Sequence, residues 1–532
     1  LARIDFTPEN VAILGPILRD VNNDNEGLIN FVRGEERGEE RDWKLGDINH
    51  SNPIVVGPPE GTLDLMGDGY EEFKNDYKDR AKVLYVGAND GMLHCFDVEN
   101  GKELWGFIPK NLLPMLKNMW RVDLEGKRYF YRNWYVDGSP VTADVKIGGI
   151  WKTVLIYGQG PGRGQVHDTI PNYNYYFALD ITNPYEPQPL WEFTHKRMGE
   201  TWSTPAIGKI VKNGNDKWAA FMGSGYDNYS EHKTGNRFYA VNVANGNQLW
   251  RFNAGEVNTN GNNGWNIPNS IPGSPSIIDT DQDGYADSVY FGDMDGRLWK
   301  VNVGVELKKQ GEKWTWDKEI ETIYEDSNNY PIITKPDVWI NPASTGSIPR
   351  IFFGTGGDDD APNDVFYSFI ALLDANTPEV EWYMGDPDIL NLPPEKNKAD
   401  MENDWEAGDK VWANPQVANF IVYFSTFKGS IESVDPSENA GIGKLYARYV
   451  LSVAGSPVGG TAVKGDSGAL ESLNLASKSR SAVTLGESSK VQGIRKREVY
   501  IQEYDSTIQK LEQPVGSFLK VKSWREIYKI IR

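Results

Sequence analysis

The sequence predicts an all-β protein, a modified seven-bladed β-propeller with long insertions between blades and a few short helices. Three observations carry this prediction: a strand-turn-strand unit that recurs along the chain, a proline step in phase with it, and scarce helical periodicity. Aromatic residues make up 12% of the 532 residues, and strands favour aromatic side chains. The 54 glycines and 30 prolines indicate many turns.

The repeating unit is an apolar strand that ends in glycine, a turn, a second strand that ends near aspartate, and then a tryptophan. The clearest copy runs from Lys82 to Pro109, and its Asn89-Asp90-Gly91 step is typical of a hairpin turn. Apolar and polar residues alternate within the copies, as they do in a β-strand, and units of this size are typical of propeller blades. Six further copies begin at Lys152, Lys217, Asp287, Arg350, Asn419 and Arg497, and those at Arg350 and Asn419 are weaker.

A polar residue followed by proline precedes the first strand of most units. Proline suits the start of a strand, because no ladder donor is lost there. Chance similarity between β-rich segments is the alternative, and two independent markers in phase argue against it. The steps are Asn52-Pro53, Ser139-Pro140, Thr204-Pro205, Ser274-Pro275, Lys335-Pro336, Asn414-Pro415 and Ser456-Pro457.

Tryptophans recur after a glycine turn, since the spacing Asp97…Gly101…Trp105 is repeated as Asn242…Gly246…Trp250. Glycine at such a turn supplies a positive φ at low cost. We therefore expect these tryptophans to pack between neighbouring blades and not to bind a ligand.

The domain prediction has two parts. Residues 1–50 form a lead-in that packs on or closes the propeller, with a helix near Pro8 to Leu18. Residues 51–532 form the propeller, with a short helix at Lys110–Trp120 and an exposed, flexible loop at 464–492, which is rich in Ser, Gly and Lys.

Composition excludes several classes of partner. The net charge of −20 repels phosphate backbones, so we expect no nucleic acid partner. No apolar run approaches 18 residues, so we expect no direct membrane insertion. The only cysteine, Cys95, lies in the apolar alternation of a strand and is predicted to be a core residue. The chain starts at Leu1 without a signal-peptide pattern, which indicates a fragment of a longer precursor.

The sharpest chemical motif is an acidic loop from Asp279 to Asp287, with Gly284 at its sixth position for a tight turn. Carboxylates stand at loop positions 1, 3, 5 and 9, and all ligands are hard oxygens, which suit Ca²⁺. The loop departs from an EF-hand, because position 12 is Tyr290 and the flanking segments are strands. The alternative is an acidic hairpin without metal. The predicted calcium ligands are Asp279, Asp281, Asp283, Asp287 and the main-chain carbonyl of Tyr285.

Three weaker motifs remain open. The segment Asp20–Glu26 has oxygen-bearing side chains at alternate positions and is either a second metal loop or, as we favour, a solvated loop. The run Asp358–Asp360 is interpreted as a polar loop, and Lys464–Asp466, which resembles an integrin-type tripeptide, as a chance match. No catalytic motif is present: the sequence lacks G-x-S-x-G, H-E-x-x-H, C-x-x-C and a P-loop, and its five histidines share no metal-ligand spacing.

The segment YVGANDGMLHCFD, Tyr85 to Asp97, resembles the signature of the PilY family, which includes neisserial PilC. The resemblance is strongest from Val83 to Val303, takes in the acidic loop, and ends weakly at Ser523–Ile527. It implies a non-enzymatic C-terminal propeller of a type IV pilus biogenesis factor and tip adhesin, on the cell surface, without the family's variable N-terminal region. It also implies that the calcium loop regulates pilus extension versus retraction. The implied partners are type IV pilins, including minor pilins, and host or abiotic surfaces.

Two other functions compete with this interpretation. A quinoprotein dehydrogenase shares the Gly…Trp repeat and uses calcium, but it commonly needs an adjacent pair of cysteines, and this chain has one cysteine. A periplasmic scaffold propeller of the outer-membrane assembly type would lack the calcium loop. Quinone absorbance tests the first alternative, and cell fractionation tests the second.

Overall fold

The computed structural model divides the chain into two compact units, Leu1–Ile323 and Tyr324–Arg532. It describes residues 3–18, 24–36, 38–42, 44–61, 66–120, 134–163, 173–212, 214–226, 234–253, 267, 269–304, 308–310, 313–315, 320–341, 348–357, 361–385, 405–418, 420–429, 442–450, 463–464, 468–469, 473–475, 483–491, 494–502 and 508–514.

The first unit opens with helices. A 3-10 turn at Pro8–Asn10 leads into α1 (Val11–Leu18), and α2 (Asn25–Val32) is followed by the small hairpin of β1 (Glu35–Glu36) and β2 (Glu39–Glu40). The apolar faces of α1 and α2 pack on a 3-10 helix at Lys110–Trp120. The buried members of this cluster are Leu14, Leu18, Leu28, Ile29, Phe31, Val32, Leu113 and Leu116.

Four four-stranded sheets follow in this unit, each formed by strands that neighbour one another in sequence. The first sheet contains β3 to β6, which are Ile54–Val56, Val83–Gly87, Leu93–Asp97 and Glu103–Phe107, with α3 (Tyr70–Asp76) between β3 and β4. The second contains β7 to β10: Val141–Ile147, Ile150–Gly158, Tyr176–Asp180 and Gln188–Phe193. The third contains β11 to β14: Ala206–Lys212, Asn215–Gly223, Arg237–Asn242 and Gln248–Asn253.

The fourth sheet of the first unit carries the acidic loop. Its strands are β15 (Ser276–Ile278), β16 (Ser288–Gly292), β17 (Arg297–Asn302) and β20 (Ile320–Glu325). A separate hairpin of β18 (Lys308–Gln310) and β19 (Lys313–Thr315) stands between β17 and β20.

The second of these sheets is buried on both faces. In β8, Leu155 and Tyr157 join a core cluster with the first sheet, whereas Val154 and Ile156 join a cluster with the third. Successive residues of a strand point to opposite faces, so the run of apolar residues in this strand serves two interfaces. The third and fourth sheets meet in the same way, with the rings of Phe238 and Phe291 stacked at a centroid distance of 3.9 Å. Four-stranded sheets packed face to face are typical of propeller blades.

The described residues of the second unit contain three sheets of three or more strands and one two-stranded hairpin. The first contains β21 to β24: Asp337–Trp339, Arg350–Gly354, Phe369–Leu373 and Glu379–Met384. The next contains β25 to β28 and β31: Lys410–Val411, Gln416–Ala418, Ile421–Lys428, Ile442–Tyr449 and Leu473–Leu475. The third contains β32 to β34: Val483–Val491, Ile494–Gln502 and Ile508–Pro514. A small hairpin pairs β29 (Val463–Lys464) with β30 (Gly468–Ala469).

The proline steps mark strand starts as predicted. In six of them the proline immediately precedes a strand, namely β3, β7, β11, β15, β21 and β26. The seventh step, Ser456-Pro457, lies outside the described residues.

The predicted role of the tryptophans between sheets is confirmed for both copies of the spacing. Trp105 Nε1 donates a hydrogen bond of 2.8 Å to the carbonyl of Pro184 in the second sheet's β9–β10 connection. Trp250 packs with residues of the fourth sheet. The turn glycines Gly101 and Gly246 have φ values of 71° and 72°, so they occupy the left-handed region.

The helices were only partly predicted. Pro8–Leu18 and Lys110–Trp120 are helical as expected, although Lys110–Trp120 is 3-10 throughout. The helices α2 and α3 were missed. The described part of 464–492, predicted as a loop, instead includes strands such as Leu473–Leu475 and Val483–Val491. Polar residues there pair in a sheet without a periodic apolar pattern, so the sequence did not indicate the strands.

A buried charge cluster joins the lead-in to the first sheet. The His94 side chain is 3% exposed; its Nδ1 lies 2.7 Å from Glu103 Oε1, and its Nε2 lies 3.1 Å from both Asp90 carboxylate oxygens. Asp90 Oδ2 in turn accepts a 2.7 Å hydrogen bond from the main-chain N–H of Gly46. Burial alone would lower the pKa of His94, but the hydrogen bonds and charges of Asp90 and Glu103 outweigh it and raise the pKa from 6.5 to about 9.

This cluster predicts an alkaline loss of stability. The folded-state pKa of His94 exceeds its unfolded value, so its contribution is complete below about pH 6.5 and lost as the pH rises through 9. We expect the free energy of unfolding of the first unit to fall by up to about 3 kcal/mol over this interval. Urea unfolding at a series of pH values measures it. His94→Gln should flatten the slope, and an unchanged slope in that variant would contradict the prediction.

Candidate metal centre

The acidic loop connects β15 and β16, which pair antiparallel in the fourth sheet. Gln282 and Gly284 both have positive φ, 63° and 89°, which reverses the chain twice within the loop. Left-handed backbone is uncommon for a residue other than glycine, so Gln282 is held there by its surroundings. The result is a compact turn that brings the carboxylates of Asp279, Asp281 and Asp283 together.

Asp279 accepts three main-chain hydrogen bonds from within the loop. Its Oδ1 accepts hydrogen bonds from the main-chain N–H groups of Gln282 (2.7 Å) and Asp283 (3.2 Å), and its Oδ2 accepts one from Gly284 (2.8 Å). Asp281 Oδ1 accepts one long bond, 3.2 Å, from the Asp283 N–H. Burial raises the pKa of Asp279, and the charge of Asp283 adds to this, while the backbone N–H groups oppose it.

Three of the predicted ligands come together. One carboxylate oxygen from each of Asp279, Asp281 and Asp283 lies within 4.8 Å of the other two, and this is the one cluster of metal-ligand type among the residues that the structure describes. Asp279 is half-buried, whereas Asp281 and Asp283 are exposed. Hard, anionic oxygens gathered on an open turn fit Ca²⁺, which accepts six to eight oxygen ligands and retains water among them.

Asp287 lies outside that cluster. Its Oδ2 accepts hydrogen bonds from the N–H (2.7 Å) and the hydroxyl of Thr280, and its carbonyl accepts bonds from Val303 and Gly304 at the end of β17. A Cβ on Gly304 would lie 2.4 Å from Asp287 Oδ1, so glycine is required for this approach. Asp287 therefore anchors the loop exit in this structure, and its role as a ligand stays a prediction, as does that of the Tyr285 carbonyl.

The loop is also attached to the third sheet. Tyr285 Oη lies 2.8 Å from Lys209 Nζ and 3.0 Å from Asp216 Oδ1. Sequence reasoning missed Lys209, Asp216 and Thr280. No local pattern could have identified the first two, since they precede the tyrosine by 76 and 69 residues.

The other candidates contribute no second site among the described residues. Asp24 caps α2 through a 2.9 Å bond from the Gly27 N–H to its Oδ1, while Asp20 to Asn23 lie outside the described residues. Asp358–Asp360, Gly465 and Asp466 also lie outside them. Cys95 is fully buried, as predicted for a core residue, and burial raises the pKa of its thiol to about 12. No helix in the described part of the chain is long and apolar enough to cross a bilayer.

The fold and the loop together define a propeller domain with a candidate calcium site in one blade. A family model described as the PilY1 β-propeller domain matches residues 45–318, just over half of the chain. The chain belongs to this family, which confirms the resemblance found in the sequence and the propeller fold. The count of seven blades stays a prediction.

Named relatives agree with this assignment. The chain is 31% identical over 300 residues to the type IV pilus biogenesis factor PilY1 of Pseudomonas aeruginosa strain UCBPP-PA14, covering 54% of this chain and 23% of that protein. It is 30% identical over 368 residues to a PilY1 homolog of Xylella fastidiosa strain Temecula1, covering 66% and 27%. The chain thus spans about a quarter of the length of the curated relatives it matches.

A solved structure supports the fold alone. The crystal structure of the P. aeruginosa PilY1 C-terminal domain matches with a TM-score of 0.58 at 20% identity. The match covers 87% of this chain and 99% of that chain.

Proposed function

We propose that this chain is the calcium-binding propeller of a type IV pilus biogenesis factor, acting without catalysis at the pilus, in the cell envelope or on its surface. The observation that carries the proposal is the cluster of Asp279, Asp281 and Asp283 within a propeller of the PilY1 family. The names of the relatives support the pilus role.

The proposed mechanism is a calcium-dependent surface. Without metal, the four loop aspartates repel one another; a bound Ca²⁺ changes their summed charge from about −4 to about −2 and further restrains a turn that the hydrogen bonds to Asp279 already hold. A partner can respond to calcium only if it binds the two states with different affinity. We propose that type IV pilins, including minor pilins, distinguish the two states and so bias extension against retraction, while the same display supports attachment to host or abiotic surfaces.

Calcium titration tests the binding step. We expect the wild-type chain to bind one strong Ca²⁺, with a dissociation constant between roughly 10⁻⁶ and 10⁻³ M. Asp281→Ala should abolish binding without unfolding the protein, because Asp281 is exposed and accepts only one hydrogen bond of 3.2 Å within the described loop. Isothermal titration calorimetry measures the affinity, and circular dichroism checks the fold. Asp76→Ala, which removes an equally exposed aspartate at the end of α3, is the matched control.

No heat from the wild-type chain at millimolar calcium would reject the site, and a preference for zinc would reject the oxygen-ligand argument. In cells, the piliation of Asp281→Ala is compared with that of Asp281→Lys, which places an ammonium near the position proposed for the ion. Opposite piliation phenotypes support a switch. Wild-type piliation in both variants, at normal protein levels, would contradict the regulatory role and favour a permanent structural ion.

A further inference from the structure

Tyr285 connects the calcium loop to a different sheet through its side chain. Its hydroxyl donates to Asp216 Oδ1 (3.0 Å) and accepts from Lys209 Nζ (2.8 Å), and the ammonium also lies 4.1 Å from the centre of the tyrosine ring. Lys209 Nζ and Asp216 Oδ2 complete the triangle at 3.0 Å. Three groups in mutual contact restrain one another more than any single pair would.

The two partners of Tyr285 are positioned by strand register. Lys209 lies on β11, where Val211 pairs with Asp216 of β12, so Lys209 and Asp216 are diagonal neighbours on one face of the β11–β12 hairpin. Burial would lower the pKa of Lys209, but the hydrogen bonds that its ammonium donates to Tyr285 and Asp216 outweigh it and raise the pKa. The ammonium thus lies between the Tyr285 hydroxyl and the Asp216 carboxylate.

The main chain makes a second attachment at the same point. The N–H of Ala286 donates a 2.8 Å hydrogen bond to the carbonyl of Lys209. On the same strand, a Cβ on Gly208 would lie 2.7 Å from Ile277 Cδ1 and 3.2 Å from the Ala286 side chain. The absence of a side chain at Gly208 allows this close approach of the fourth sheet to the third.

We propose that Tyr285 is a positioning residue that couples calcium binding in the loop to the β11–β12 hairpin of the neighbouring sheet. The inference rests on the proposed calcium site, in which the carbonyl of Tyr285 is a ligand. The residue that contributes this carbonyl is held from outside the loop, so the hairpin preorganises the site before the ion arrives. Coupling of this kind is reciprocal, and calcium must therefore also stabilise the hairpin.

The coupling has a consequence for the proposed switch. The surface that responds to calcium is not confined to residues 279–287 but extends to the hairpin tip near Lys212 and Asn215. A pilin whose affinity depends on bound calcium can therefore contact the third sheet without touching the ion-binding turn.

Tyr285→Phe tests the inference, because it removes only the hydroxyl and keeps both the ring and the main-chain carbonyl. We expect calcium affinity to fall about 3- to 20-fold, the loss of a hydrogen-bonded contact to charged groups. Lys209→Met should act in the same direction, and the double variant should lose less than the product of the two single effects. Tyr185→Phe, at an exposed tyrosine between β9 and β10, is the matched control and should bind like the wild type.

Hydrogen exchange provides the readout that a merely local role would not change. In the wild type, calcium should slow exchange in β11 and β12 as well as in the loop, while the β3–β4 pair of the first sheet stays unchanged. In Tyr285→Phe, calcium should slow exchange in the loop but much less in β11 and β12. Wild-type affinity in Tyr285→Phe, or no calcium effect on β11 and β12 in the wild type, would overturn the coupling while leaving the calcium site standing. A wild-type chain that binds no calcium would instead reject the proposed function, and the coupling with it.

Discussion

Replacing Asp279 with alanine is expected to weaken calcium binding by more than about 100-fold, because one charged ligand is lost together with the organisation of the others. Asp279 accepts three backbone hydrogen bonds, from Gln282, Asp283 and Gly284, at 2.7, 3.2 and 2.8 Å. Each such bond to a charged group is worth about 1.5–3 kcal/mol in favourable cases. The variant should therefore disorder the turn even without metal, unlike Asp281→Ala.

Asp279→Asn separates the loss of the charged ligand from the loss of the hydrogen bonds that organise the turn. The amide oxygen can still accept from Gln282 and Asp283, whereas the –NH2 group cannot replace Oδ2 as the acceptor for the Gly284 N–H. We therefore expect the turn to keep more hydrogen-exchange protection than in Asp279→Ala, while affinity falls through the lost charge. Calorimetry gives the affinity, and exchange over residues 279–287 gives the order of the turn. The prediction is wrong if Asp279→Ala binds calcium within about threefold of the wild type, or if its metal-free loop exchanges like that of the wild type.

Replacing Lys444 with methionine is expected to destabilise the second unit by about 3–5 kcal/mol, because a buried carboxylate loses its counter-charge. Lys444 is buried on β28, with Nζ 3.0 Å from Asp409 Oδ2 and 3.0 Å from Glu406 Oε1. Asp409 is fully buried, and its Oδ2 also accepts a 2.8 Å bond from the Glu406 N–H. Burial raises the pKa of Asp409 even with Lys444 beside it, so the buried environment disfavours the charged form of this carboxyl.

Lys428→Met is the matched control for this change. Lys428 Nζ contacts the same Glu406 carboxylate at 3.0 Å, but its side chain is 34% exposed and that of Glu406 is 47% exposed. Exposed ion pairs contribute about 0–1 kcal/mol, so this variant should remain close to the wild type. Urea unfolding of the second unit measures both. Equal effects of the two substitutions would contradict the burial argument.

The pH dependence of Lys444→Met provides a second check. Without the ammonium, protonating Asp409 relieves the buried charge, so its folded-state pKa should exceed its unfolded value by more than in the wild type. The deficit in stability should then be smaller near pH 4 and grow as the pH rises toward neutrality. A deficit that does not change with pH would indicate lost packing of the lysine stem instead.

The acidic loop shows how far local sequence reasoning extends. The alternate aspartates and Gly284 predicted the turn, and the structure brings Asp279, Asp281 and Asp283 together. The carboxylate at loop position 9 does not join this cluster. Asp287 accepts hydrogen bonds from Thr280 and from the main chain that follows β17. Spacing alone places a carboxylate near the turn but does not say which neighbour its oxygens will bind.

The sequence by itself determined the propeller class, the strand starts and the acidic turn, because these depend on residues that are close together along the chain. The alternation of apolar residues in β8 and the proline before β7 are both local signals of this kind. Only the tertiary structure decided which distant groups meet: Tyr285 with Lys209, 76 residues apart, and Lys444 with Asp409, 35 residues apart. The physical reason is that the packing of one sheet on another and the pairing of distant strands choose these partners, whereas the apolar pattern of a strand fixes only which of its faces is buried.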